Sequence, residues 1–433
     1  MISICVIGGG ASGLVAAITA ARNGASVTIL EQKERLGKKI LSTGNGRCNL
    51  TNEYMDLSCF RGEDLSLAEQ VLSQFGYQDT LDFFEELGVL TKSRNGYIYP
   101  RSDQATTIVE ALELELKRLG VMVYTNTRVN DVYRTKKGFS ILATEKRPLE
   151  NSHSKTSSSK NKKKKVTEYT ENEVTYRADK IILATGGKAA SVLGSDGSGY
   201  MFAKEFGHSI SPVVPALVQL RANDASFKQL AGIRTDGTVK LFVDGQLKGS
   251  DTGEIQLTEY GISGIPVFQI SRFAALGLYQ KNEVKASLDF IPYSSEDEFV
   301  RILLKRIQKW KNNRIDEFLS GILNKKLIPV FLEKMNMRPS HIVENIPQTW
   351  FEEFAHFCKD YEVIISDTNS FDQAQVCAGG VRTKEIDPNT LESKYTDNLY
   401  ITGELLDVEG ICGGYNLQWA WATGFIAGNA ASN

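Results

Sequence analysis

Apolar and polar positions along this chain change period several times, and each change marks an element. Ile2 to Ile7 is an apolar run broken only by Ser3; a glycine turn follows at Gly8 to Gly13, then an alanine-rich stretch of helical spacing to about Asn23, then a second apolar run from Ala25 to Leu30. Strand, glycine turn, helix, strand is half of a doubly wound α/β unit. Helical periodicity returns around Leu67 to Leu87 and Thr106 to Leu119, and Val121 to Tyr124 reads as another buried strand. Phe139 to Thr144 and the run at Ile181 add two strand candidates. From about 212 to 292 the pattern alternates with period two, with a turn expected at Asp244-Gly245, so this segment reads as β-rich. Ser295, three residues before Glu298, reads as a capping box that starts a helix with Phe299, Val300, Leu303, Leu304 and Ile307 on one face. Helical patterns separated by Pro329, Pro339 and Pro347 run to about Phe357. The chain then returns to strand, glycine turn and helix at Leu399 to Gly403, Gly413-Gly414 and on through Ala427. The expectation is one discontinuous, Rossmann-like α/β domain formed by residues 1–190 and 366–433, interrupted by a β-plus-helical insertion at 191–365.

Composition narrows the function classes. The 433 residues carry 50 Lys and Arg against 52 Asp and Glu, a net charge of -2, so no global field draws the chain to nucleic acid or to acidic lipid. A Lys-rich tract between Glu150 and Glu173, with four lysines at 162–165, lacks interleaved aromatics and reads as a solvated hairpin tip. The six cysteines form no C-x-x-C pair, so neither a zinc site nor a secreted disulfide framework is expected. A first strand beginning at Ile2 leaves no room for a leader peptide, and the most apolar late stretch, Ile262 to Tyr279, is interrupted by Gln269, Ser271 and Arg272. A cytoplasmic protein acting on a small molecule, with neither a nucleic-acid nor a membrane partner, is expected; the oligomeric state is left open.

The chemistry gathers at glycine-rich segments. Gly8, Gly10 and Gly13 fit G-x-G-x-x-G directly after a strand and at a helix start. The first glycine permits the tight turn, the second lets a pyrophosphate approach the backbone, and the third lets helix and strand pack closely. Helix N-terminal amides then stabilise the phosphate charge. Glu31, at the end of the second strand, is placed for ribose hydroxyls. Three further segments favour FAD over NAD: the loop from Gly37 to Asn49, which includes Gly46 and Arg47; Ala184 to Gly187 at a strand end; and Gly403-Glu404, whose acid suits a ribityl hydroxyl. A helix is expected to begin near Gly413-Gly414, and its positive end suits the negative charge of reduced flavin.

These segments together resemble a known family. The GGGASG fingerprint, STGNGRCNLTN at 42–52, ATGGKA at 184–189, GSDGSGY at 194–200, AGGV at 378–381 and TGELLDVEGICGGYNLQWAWATG at 402–424 resemble the flavoproteins that include aminoacetone oxidase and the BaiN-type 3-dehydro-bile-acid reductases, the NAD(FAD)-utilising dehydrogenases. The resemblance implies bound FAD, a two-part FAD domain made by the chain ends, and an inserted β-barrel-like plus helical domain. It further implies FAD contacts at Ala11, Ser12, Glu31, Gln32, Lys38 and Ser42, at Arg47, Cys48, Asn49 and Val129, and at Thr185, Gly186, Glu404, Asn416 and Leu417. One departure stands out: where many relatives carry Thr-His-x-Gly-x-Ser-Gly-Pro, this chain has Glu259 in place of the histidine and Ile265 in place of the proline.

No second G-x-G-x-x-G follows a strand, so NAD(P)H is expected as a transient electron donor without a domain of its own. The preferred activity is FAD-dependent, NAD(P)H-driven reduction of an activated C=C bond in an enone. The alternatives are a flavin amine oxidase that produces hydrogen peroxide, and a flavin-containing binding protein without catalysis. Tyr415, at the helix start, is the catalytic candidate. Arg47 is the expected cation near pyrophosphate or flavin. Cys48 reads as packing beside the cofactor rather than as a redox thiol, His208 as structural, and Cys377 and Cys412 as small buried residues.

Overall fold

The computed structural model describes residues 1–148 and 169–433; the core of the Lys-rich tract lies outside the described residues. The chain divides into two compact units, Met1–Val213 with Val376–Asn433, and Val214–Gln375.

The first unit is built on a five-stranded parallel sheet in the order Leu399–Ile401, Lys180–Leu183, Ser3–Ile7, Ser26–Leu30, Met122–Tyr124. The strand from the chain's end thus joins the sheet beside Lys180–Leu183, and the domain is discontinuous as expected. The central strands are buried on both faces, which explains their unbroken apolar runs. The segment 121–124, expected to be a buried strand, is instead the sheet's edge: Met122 is 48% exposed. Apolar content alone does not distinguish an edge from a centre. Helices Ala11–Arg22 and Tyr415–Ser432 run parallel on the sheet, Ser12 meeting Gly424 and Ala16 meeting Gly428. A Cβ on Gly424 would lie 2.3 Å from the Ser12 carbonyl oxygen, and one on Gly428 2.4 Å from that of Ala16, so the two glycines set how closely the helices approach. The helical pattern at 67–87 is two helices, Ser66–Gln74 and Tyr77–Glu86, broken at Phe75-Gly76. Residues 191–213 pack with this unit, burying Phe202 and Ala203 in its core.

Two pairings here escaped the sequence pattern. Gly138–Pro148 pairs with Tyr169–Ala178, a strand within the polar stretch that composition had marked as loop. Thr91–Arg94 and Tyr97–Pro100 form a hairpin across Asn95-Gly96, both at positive φ (53° and 86°), the left-handed pair that a two-residue turn requires.

The second unit is a closed six-stranded barrel in the order Leu220–Ala222, Gly261–Ser263, Gln246–Thr258, Arg234–Val243, Val284–Asp289, Tyr361–Thr368. The Asp244-Gly245 turn joins Arg234–Val243 to Gln246–Thr258 as expected. The apolar stretch near 262–279 is not strand but a helix, Ile265–Tyr279, which lies against the barrel and buries Val267, Ile270 and Ala274. Helices Glu296–Trp310, Ile315–Leu319, Leu327–Lys334 and Gln348–Lys359 complete the unit around Phe299, Phe318, Phe331 and Phe351. The capping box forms: the Glu298 N–H donates to Ser295 Oγ at 3.2 Å, and the Ser295 N–H to Glu298 Oε2 at 2.9 Å. Pro329 does not separate helices but sits in a first turn, where its missing N–H has no intrahelical partner to lose.

Candidate functional site

The glycine turn has the shape that its sequence implies. A Cβ on Gly8 would lie 2.4 Å from the Ala184 carbonyl oxygen, and one on Gly13 only 2.0 Å from that of Gly8, so both positions are closed to any side chain. A Cβ on Gly10 would meet nothing within 4 Å. The second glycine therefore faces open space at a helix end whose first amides, those of Ala11, Ser12 and Gly13, have no side-chain cap. Helix Tyr415–Ser432 likewise starts uncapped, after Gly414 at φ 96°. Because Gly424 abuts Ser12 and the helices are parallel, the second helix begins about 12 Å ahead of the first, roughly eight residues at about 1.5 Å each.

Between these two positive ends lies the Thr402-Gly403-Glu404 turn. Gly403 (φ 65°) donates its N–H to Thr423 Oγ1 at 2.9 Å and accepts from Trp419 Nε1 at 3.0 Å, and a Cβ there would come within 2.7 Å of Ser12 Oγ. Glu404 Oε2 pairs with Lys39 Nζ at 2.7 Å, half-buried, and lies beside Gly186. Glu31 is only 8% exposed, and its two oxygens accept from the Gly9 and Lys33 N–H groups, each at 2.7 Å. Burial pushes its carboxyl above the usual range, partly offset by those two donors. A carboxylate offers about four acceptor positions, so two remain for hydroxyl donors.

Other expected contacts converge on the same place. Gln32 donates to the Gly194 carbonyl, holding Gly194 beside Glu31, and Asp196, just ahead of helix Ser198–Glu205, pairs with Arg128, next to Val129, at 3.1 Å. Thr185 adjoins Gly8. In the 42–49 loop, Gly44, Asn45, Gly46 and Cys48 all have positive φ, and Ser42 Oγ donates to the Lys39 carbonyl. Asn49 Oδ1 is buried without a hydrogen-bond partner among the described residues.

Some expected residues are employed otherwise. Lys38 pairs at the surface with Glu34, while its neighbour Lys39, which carries no motif of its own, reaches Glu404. Arg47 packs 5.5 Å from the Tyr99 ring. Asn416 closes its own loop, exchanging two 2.8 Å hydrogen bonds with Gly410, and Leu417 packs partly buried on the core. Cys48 is fully buried and its thiol is pushed up to about 12 by that burial, the form of an inert packing residue. His208 is enclosed between Glu385 Oε2 at 3.1 Å and Ser393 Oγ at 2.8 Å. Cys377 is buried, whereas Cys412, expected to be buried, is partly exposed at the rim of the 410–414 turn. Tyr415 is 4% exposed, with its ring edge-on to Phe60 at 5.8 Å. Burial, followed by the neighbouring Cys59, pushes its phenol above the ordinary value, so the hydroxyl remains a donor through neutral pH.

Taken together, two uncapped helix ends, a buried acid at a strand end and a second acid between the helix ends lie in the order of a dinucleotide's pyrophosphate, sugars and far ring. The residues fit FAD. No described helix is long and apolar enough to cross a membrane.

The HI0933-like protein Rossmann domain family matches residues 2–154 and 140–430. A 3-dehydro-bile acid delta(4,6)-reductase from Clostridium scindens is 52% identical over 431 residues, covering 99% of this chain and 98% of that one. Two ribosomal RNA dihydrouridine synthases are more distant: that of Haemophilus influenzae is 27% identical over 97% of this chain and 96% of its own, and that of Escherichia coli 25% identical over 96% and 95%.

Proposed function

Because the chain belongs to the HI0933-like Rossmann-domain family and is an FAD-dependent oxidoreductase, we propose that it reduces a C=C bond conjugated to a carbonyl in a small, steroid-like acid, with NAD(P)H as the electron source. What carries this reading is identity of 52% along the whole chain to a reductase of a 3-oxo bile acid. The more distant relatives point to the same bond type, since dihydrouridine is uridine saturated at a C=C conjugated to a carbonyl. The net reaction is balanced: NAD(P)H and one proton go in, NAD(P)+ and the saturated product come out.

FAD, when bound, supplies a two-electron carrier between donor and substrate. The amides of Ala11, Ser12 and Gly13 hold its pyrophosphate, and Glu31 takes ribose hydroxyls on its remaining lone pairs. Glu404, oriented by Lys39, takes a ribityl hydroxyl. The uncapped start of helix Tyr415–Ser432 favours negative charge at the ring, and Tyr415, kept protonated by burial, is the donor toward the substrate carbonyl.

The test is anaerobic. The purified yellow protein should bleach with NADH or NADPH and recover its colour with a 4-en-3-one bile acid. Bleaching by aminoacetone, with peroxide on aeration, would replace this reading by the amine oxidase.

A further inference from the structure

The hairpin Thr91–Arg94/Tyr97–Pro100 carries a pattern that the proposed reaction has not used. Its register pairs Lys92 with Tyr99 and Arg94 with Tyr97, so two cations and two tyrosines share one face, while Ser93 and the buried Ile98 share the other. Arg47, from the 42–49 loop, joins this face: its guanidinium lies 5.5 Å from the Tyr99 ring, with that of Arg94 5.9 Å from the same ring. Lys92 and Arg94 both bind one oxygen of Asp103, Arg94 at 2.7 Å. Lys92 and Arg94 thus share one carboxylate, and Lys92 first, with Arg94 and the charge of the nearby Arg47, holds it below the usual range. Glu53 stands beyond the turn, beside Gly96.

Here the excess is positive, and the donors outnumber their partners: a guanidinium has five N–H groups, and Arg94 commits one to Asp103. Aromatic surface accompanies the charge, with Tyr97 40% exposed and Tyr54 64% exposed. The place also matters. Tyr97 lies against Gly413, 3.3 Å from where a Cβ there would be, at the start of the helix that the flavin reading assigns to the ring.

We propose that this face docks the adenosine 2′-phosphate end of NADPH, with the phosphate among Arg94, Lys92 and Arg47 and the adenine on an exposed tyrosine, so that the chain takes NADPH in preference to NADH. The inference rests on the flavin-reductase reading and supplies the donor site that a missing second glycine fingerprint leaves open. Planar guanidinium and ammonium groups suit a phosphate dianion, whereas the 2′-hydroxyl of NADH leaves them unengaged. Base-on-tyrosine stacking adds affinity common to both dinucleotides.

Calorimetry on the FAD-loaded protein tests this without turnover, using adenosine 2′,5′-bisphosphate and 5′-AMP as probes. The bisphosphate should bind about tenfold or more tightly, and raised salt should shrink the difference. The double variant Lys92→Gln/Arg94→Gln should lose that preference while keeping its FAD content and its 5′-AMP affinity; Lys92→Arg/Arg94→Lys should retain most of it. Anaerobic bleaching should show the same order, with NADPH saturating at lower concentration than NADH. Equal binding of the two probes, an undiminished preference in the double variant, or loss of FAD from it overturns the proposal. A separate arm tests the underlying reading: dithionite-reduced protein that passes no electrons to any enone refutes the reductase, while the two calorimetric preferences still decide the site.

Discussion

At Tyr415 a packed ring carries the hydroxyl to which we assign proton donation, and only a variant separates the two roles. The ring is buried against Phe60, so Tyr415→Phe keeps the contact and removes one oxygen. We expect unchanged FAD content and melting temperature, with enone turnover lowered about a hundredfold, the usual size of a lost proton donor. Steady-state kinetics decide it, and wild-type turnover in the variant would leave Tyr415 as packing alone. Other single residues were legible for a plain reason. Gly8, Gly10 and Gly13 could be read from spacing because a strand-to-helix dinucleotide turn fixes that spacing, with the first and third closed to any side chain and the second open. Lys39 could not be told from Lys38: adjacent lysines in a loop look alike until the turn at 403–404 brings an acid to one of them.

At the scale of elements, two polar joints hold the first unit. Gln418, fully buried, accepts from Thr51 Oγ1 at 2.7 Å and Thr80 Oγ1 at 2.8 Å, and donates to the Phe75 and Gly76 carbonyls at 3.1 and 3.0 Å. Gln418→Leu strands those partners in a dry interior and should cost about 3 kcal/mol by denaturant unfolding. Glu115 joins helix Ala105–Arg118 to helix Ala11–Arg22, bonded to Arg118 Nε at 2.6 Å and to Arg22 Nε at 2.9 Å. Arg118 first, with Arg22, draws its carboxyl from an ordinary 4.5 down to about 2. A lowered folded value stabilises above the ordinary one and is lost as pH falls through the folded one. The melting-temperature gap between wild type and Glu115→Gln should therefore be full above about pH 4.5 and close as the pH approaches about 2. Elements were read from sequence where period and caps agreed, as at Ser295. They were misread where an apolar run carries no clear period: the edge strand Met122–Tyr124 and the mainly apolar helix Ile265–Tyr279 both hold such runs, which periodicity cannot sort. The Asn95-Gly96 hairpin did have a local signal, the left-handed dipeptide, and could have been found.

For the molecule as a whole, the second unit leaves and re-enters the chain at neighbouring points, the Gln375 N–H donating to the Leu217 carbonyl at 3.3 Å. Ends so close tolerate excision. Replacing residues 214–375 by a short Gly/Ser linker should give a chain that still binds FAD, measured by its absorbance per protein, yet reduces no enone. A colourless product would mean that the first unit does not hold the cofactor alone.

The sequence by itself determined the α/β class, the return of the chain's end to the first domain, and the dinucleotide turn, because each follows from local rules: strand and helix period, glycine spacing between a strand and a helix, and an acid at a strand end. Only the tertiary structure decided which strand is an edge, which of two lysines meets Glu404, and that Arg47 joins Lys92 and Arg94 around Tyr99 and Asp103. Those outcomes depend on residues far apart in the chain meeting in space, and no local pattern encodes such a meeting.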